Sequence, residues 1–202
     1  RTVIAYDRLG FGRSSPHPGH WSIDFIQEEV EYYFPALRSA LAIKSFIALG
    51  YSVGGAMAAR CAALNPDSCK ALITIAAPAL IDAGMISGLR SAQRTFSQPG
   101  QLERLAKYHG DKAQWALSTW LNTWLSDEFA DWHIKQVAPR IACPLLVIHG
   151  EQDEYGSIEY PQHIAALAEG FNQIVLLKDC HHVPHREYPE LVLAAVAEFL
   201  GT

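Results

Sequence analysis

Short apolar runs recur along this chain, each bounded by turn-forming residues, and apolar positions between them fall into helical spacing. Residues 2–6, 45–49, 71–77, 144–149 and 173–177 are too short for helices and are largely apolar, so each is expected as a buried strand. Residues 22–41 repeat their apolar positions (Phe25, Ile26, Val30, Phe34, Leu37, Leu41) at the period of a helix. Ser22 is its expected N-cap and Pro35 its expected kink or break. Residues 53–64 read as a small-residue helix ending before Asn65-Pro66. Helices are also expected over 162–169 and 189–200. Residues 7–19, rich in Gly, Pro and Ser, read as loop.

Strands that are apolar throughout, alternating with helices, imply an α/β fold: a mostly parallel sheet with helices on both faces. Residues 80–140 break the alternation, being helical, polar and home to four of the five tryptophans. The expected organisation is therefore a core made of 1–79 and 141–202, with 80–140 inserted as a helical cap over the strand ends.

Composition narrows the function classes. A chain of 202 residues with 50% hydrophobic and 18% charged residues is too apolar to be disordered and long enough for one core. A net charge of −5, without a basic run, argues against a nucleic-acid partner. No apolar stretch reaches membrane-spanning length, so no membrane partner is expected. Cys61, Cys69, Cys143 and Cys180 show no C-x-x-C pair and no disulfide spacing, and are read as free or buried thiols of a cytoplasmic protein. Cys180-His181-His182 is not expected to hold a metal, because three adjacent residues rarely converge on one ion.

The chemistry starts at Gly50-Tyr51-Ser52-Val53-Gly54, between an apolar strand and a helix. That context suits G-x-S-x-G: the serine sits on a sharp strand-to-helix turn, and flanking glycines let backbones approach. The Val53 N–H, at the helix start, is the expected oxyanion donor. The competing reading is a glycine-rich turn whose serine only caps the helix. A serine hydroxyl needs a base, and the base an orienting acid. An acid after a late strand and a histidine after the last one would supply them in the order Ser, Asp, His. Asp153 among Glu151 and Glu154, and His182 beside His181, occupy those places.

Four segments together resemble the α/β-hydrolase superfamily over nearly the whole chain. They are Tyr6-Asp7-Arg8-Leu9-Gly10-Phe11-Gly12-Arg13-Ser14, Gly50-Tyr51-Ser52-Val53-Gly54-Gly55, His149-Gly150-Glu151-Gln152-Asp153 and His182-Val183-Pro184-His185-Arg186-Glu187. Residues from Tyr108 onward look most like small-ester hydrolases similar to valacyclovir hydrolase. The resemblance implies Ser52 as nucleophile, Asp153 as acid and His182 as base, with no cofactor. It also admits Asp82 as a second position for the acid, and places His181 where relatives have glycine. His185 is read as packing or surface.

The implied activity is hydrolysis of a small-molecule carboxylic ester through an acyl-enzyme. Cleavage of C–C bonds, thioesters, amides or lactones by the same triad, a ligand receptor, or an inactive remnant are the alternatives; oligomeric state is left open. Tyr51, Trp120 and Trp124 are assigned to the substrate pocket, against a reading in which the tryptophans only pack the insertion. The resemblance further implies three strands before residue 2, and a second oxyanion donor in the loop after the last of them. Loss of one such donor costs about 2.7–4 kcal/mol of transition-state stabilisation. The 202 residues alone are therefore expected to be feeble or inactive and marginally folded, and a longer parent chain to be the enzyme.

Overall fold

The computed structural model describes residues 2–19 and 21–201. Four strands, β1 (Phe46–Tyr51), β2 (Cys69–Ile75), β3 (Leu145–Gly150) and β4 (Asn172–Leu177), form a parallel sheet in the order β1-β2-β3-β4. Parallel neighbours need a crossover, and each crossover here carries helix. Ahead of β1 lie α1 (Phe25–Glu28), a π-helical segment (Glu29–Tyr33) and α2 (Phe34–Ala40). The β1–β2 link is α3 (Val53–Leu64). Between β2 and β3 come α4 (Ala83–Phe96), α5 (Gln101–His109), α6 (Ala113–Trp124) and α7 (Ile134–Val137). The β3–β4 link is α8 (Tyr160–Ala165), and α9 (Pro184–Glu187) and α10 (Pro189–Phe199) follow β4.

The period of two in the central strands feeds two separate cores. Leu72, Leu145 and Val147 pack with Ile26, Ala59, Ile134 and Ile164 on one face. Their neighbours Ile73, Ile75, Leu146 and Ile148 pack with Leu177, Val192 and Ala195 on the other. With both faces covered, β2 and β3 must be apolar at nearly every position, which is why they read as runs. All four cysteines are buried free thiols, and Cys143 Sγ–H donates to Cys69 Sγ at 3.8 Å. Among the described residues no helix is long and apolar enough to cross a membrane.

Several expectations are corrected. Residues 2–6 form no strand; their backbone is irregular and exposed, Val3 at 89%. A strand exists only through a ladder, and no described neighbour offers one there, since β1 is the sheet edge and pairs with β2 alone. Leu49, apolar in sequence, is consequently 55% exposed. The helix expected over 22–41 begins at Phe25, because the Ser22 hydroxyl accepts from the Asp24 N–H in a turn that precedes it. Pro35 does not break that helix. The turn before it widens into the π segment, which accommodates the missing N–H. The helix expected over 162–169 stops at Ala165, because Leu167 O and Glu169 N–H pair with the backbone of Ile141 instead.

Candidate active site

The end of β1 turns into α3 at Ser52, whose φ of 52° and ψ of −129° lie where a side-chain-bearing residue is strained by about 1–3 kcal/mol. The surroundings hold it there. Ser52 N–H donates to Ile75 O at 2.8 Å, and Gly55 N–H to Ser52 O at 2.8 Å. A Cβ on Gly50 would fall 1.9 Å from Gly54 O, and one on Gly55 would fall 2.5 Å from the Ala77 Cβ, whereas Gly54 has open space. The close approaches thus need Gly50 and Gly55, not the second glycine of the pentapeptide. The Ser52 hydroxyl makes no capping bond to α3, although it occupies the N-cap, so the capping reading fails.

The hydroxyl meets an imidazole instead. His182, in the loop between β4 and α9, brings Nε2 to 3.1 Å from Ser52 Oγ. Its Nδ1 lies 2.9 Å from both carboxylate oxygens of Asp153, in the loop after β3. The Asp153 side chain is fully buried, and its Oδ1 also accepts the Tyr155 N–H at 2.8 Å. The Tyr51 and Tyr155 rings flank the imidazole at 5.2 and 4.7 Å. Burial raises both phenols above their ordinary pKa, so they stay protonated neighbours. Behind the acid, His149 puts Nε2 3.6 Å from Asp153 Oδ2. Burial pushes this imidazole below its ordinary pKa, against the raising pull of Asp153.

The competing residues are elsewhere. Asp82 caps α4, accepting the Met85 N–H at 2.8 Å. Glu151 is exposed, and Glu154 accepts the backbone N–H of His182 rather than its ring. The His181 ring is exposed and pairs with Glu187 at 3.3 Å. The His185 ring packs T-shaped against Tyr51 at 4.6 Å, the first of the two roles, packing or surface, expected of it.

A cavity of about 390 Å³ opens on Ser52 and His182. Tyr51, Val53, Trp120 and Trp124 line it, as do Met85, Leu89, Phe96 and Tyr155, which the sequence reading missed. The signal for Met85 and Leu89 was present: they are four apart, on one face of α4. Trp120 meets Phe96 edge-on and Tyr155 at a tilt at the wall. Trp124 is 7% exposed and packs on Phe129 at 5.1 Å, so it is both wall and core.

The family model described as alpha/beta hydrolase fold matches residues 1–110. The human serine hydrolase BPHL (Homo sapiens) is 27% identical over a stretch covering 75% of this chain and 53% of its own, so the chain spans about half that relative's length. Among solved structures, a bacterial membrane phospholipase A superposes with a TM-score of 0.73 at 20% identity, covering 96% of this chain and 67% of that one. The 2-hydroxy-6-oxo-6-phenylhexa-2,4-dienoate hydrolase of Rhodococcus sp. strain RHA1 superposes with a TM-score of 0.72 at 16% identity, covering 96% and 78%.

Proposed function

This chain belongs to the alpha/beta hydrolase fold family, and from that membership we propose that it carries the site of a serine hydrolase acting on small carboxylic esters. The observation that supports the reading most is a single imidazole held between an alcohol and a buried carboxylate, with 3.1 Å on one side and 2.9 Å on the other.

The proposed chemistry follows from proton positions. An ionised carboxylate only accepts, so Asp153 keeps the His182 proton on Nδ1 and leaves the Nε2 lone pair for Ser52. As Ser52 Oγ attacks the ester carbonyl, Nε2 takes the hydroxyl proton. The carbonyl oxygen becomes an oxyanion, for which Val53 N–H at the start of α3 is the donor within this chain. His182 returns the proton to the departing alkoxide, leaving acyl-Ser52. Water then gives its proton to Nε2 and attacks the acyl carbon; the acid departs and Ser52 recovers its proton. Water is the only co-substrate. Residues 80–140 serve as the cap over the site, with Trp120, Trp124 and Tyr51 forming the acyl or leaving-group wall. Four buried free thiols fit a reducing, cytoplasmic setting.

The test, run on protein that also supplies the second oxyanion donor the resemblance implies, is labelling with a fluorophosphonate probe together with p-nitrophenyl ester turnover. Labelling lost in Ser52→Ala, with turnover falling to background, is the expected result. Labelling that persists in Ser52→Ala would refute the assignment, and a labelled protein that turns over no ester would refute the substrate class.

A further inference from the structure

Three consecutive backbone N–H groups around the imidazole are each met by a carboxylate. Glu187 Oε2 accepts from His181 N–H at 2.9 Å, and Glu187 Oε1 accepts from Val183 N–H at 3.0 Å. Glu154 Oε2 accepts from His182 N–H, between them, at 3.3 Å. Glu187 reaches back from the end of α9, where its own N–H donates to Val183 O at 3.0 Å, so carboxylate and backbone close on the same residue. The His181 ring closes on Glu187 Oε2 as well, at 3.3 Å. Amide donation from His181 holds the Glu187 carboxyl below the usual carboxylate range, as such a clasp requires.

We propose that Glu187 is the positioning residue of the general base: its two oxygens grip the amides on either side of His182 and fix the Cα from which the imidazole spans Ser52 and Asp153. The proposal rests on the reading of Ser52 and His182 given above. It matters because the loop between β4 and α9 lacks a ladder of its own. The ring must also satisfy two partners on opposite nitrogens, and one side chain cannot do so from a drifting backbone. The His182 ring hydrogen-bonds Asp153 and Ser52, whereas Glu187 bonds the main chain on either side of it. Its effect on the base is proposed to run through the main chain.

A carboxylate that only caps the short helix α9 would cost stability when lost and leave chemistry alone. Positioning predicts a kcat effect without a KM effect, because displacing a base by about 1 Å costs up to about 100-fold in rate. In Glu187→Ala, kcat for a p-nitrophenyl ester should fall about 10- to 100-fold with KM within about twofold. Glu187→Gln, which keeps the shape and one acceptor, should fall between this variant and the parent. The low-field proton resonance of His182 Nδ1–H against Asp153 should broaden or vanish in Glu187→Ala, at temperatures where circular dichroism shows it folded. Should Glu187→Ala not fold, the Gln variant carries both readouts. A parent-like resonance with parent-like kcat in folded variants overturns the clasp. Labelling that survives Ser52→Ala overturns the site assignment instead, and the resonance still reports on the clasp in that event.

Discussion

Replacing Asp153 by Asn changes one atom at a fully buried position and tests the proton arrangement directly. Asp153 has three claims on two oxygens: Oδ1 accepts Tyr155 N–H at 2.8 Å, and both oxygens sit 2.9 Å from His182 Nδ1. The carboxamide of Asp153→Asn would keep its oxygen on Tyr155 N–H and turn its NH2 toward Nδ1. At 2.9 Å that sets a donor against the Nδ1 proton, which then has only the oxygen it shares with Tyr155 N–H, and the balance of tautomers shifts toward a proton on Nε2. There it faces Ser52 Oγ and the base is lost, with every heavy atom still in place. A carboxylate-to-amide replacement of this kind lowers kcat about 10⁴-fold, or about 5.5 kcal/mol of transition-state stabilisation. The assay is kcat for a p-nitrophenyl ester at pH 7.5 beside the rate of fluorophosphonate labelling, both expected to fall together because both need the deprotonated serine. Thermal unfolding controls for stability and should shift little, since a neutral amide is cheaper to bury than a charge. A variant retaining kcat within tenfold of the parent would refute the reasoning. The imidazole would then not owe its tautomer to Asp153.

The two tryptophans should separate cleanly. Trp124→Ala should destabilise by about 3–5 kcal/mol, a loss of about 10 °C or more in Tm, because Trp124 is core as well as wall. Trp120→Ala should spare the fold and instead raise KM for aryl esters, read by steady-state kinetics. At the elbow, Gly55→Ala forces a Cβ to 2.5 Å from that of Ala77 and should cost both Tm and activity, whereas Gly54→Ala, with open space, should be nearly neutral. His149 gives a pH signature. Its folded pKa lies below the unfolded value, so the unfolded chain binds more protons as pH falls through about 6.5. Its stability contribution is complete above that pH and declines below it; His149→Gln should flatten this part of the Tm-versus-pH curve.

How much of this was legible in the sequence depends on the range of the forces involved. The parallel sheet was legible because burial on both faces leaves β2 and β3 apolar at nearly every position, and the few polar residues, Lys70, Thr74 and His149, set up no alternation along either strand. Ser52, Asp153 and His182 were legible because strand ends fix where they sit: each follows a strand by a few residues, and the sheet gathers those ends at one rim. Residues 2–6 misled because apolar content registers a preference for pairing, while the partner is a tertiary matter. The elbow misled in a finer way. The pentapeptide pointed to Gly54, yet the tight contact runs from Gly55 across to Ala77 on a different segment, a distance set by how closely α3 lies on the sheet. The cavity wall from α4 was hidden for the same reason, since Met85 and Leu89 announce an apolar face but not what it faces. The Glu187 clasp stands between these cases. Its residues are within six of each other in sequence, so the contact is local, but it exists only because α9 turns its last residue back over the loop. Local chemistry placed the three side chains of the proposed triad, and the packing of one element on another placed what holds and surrounds them.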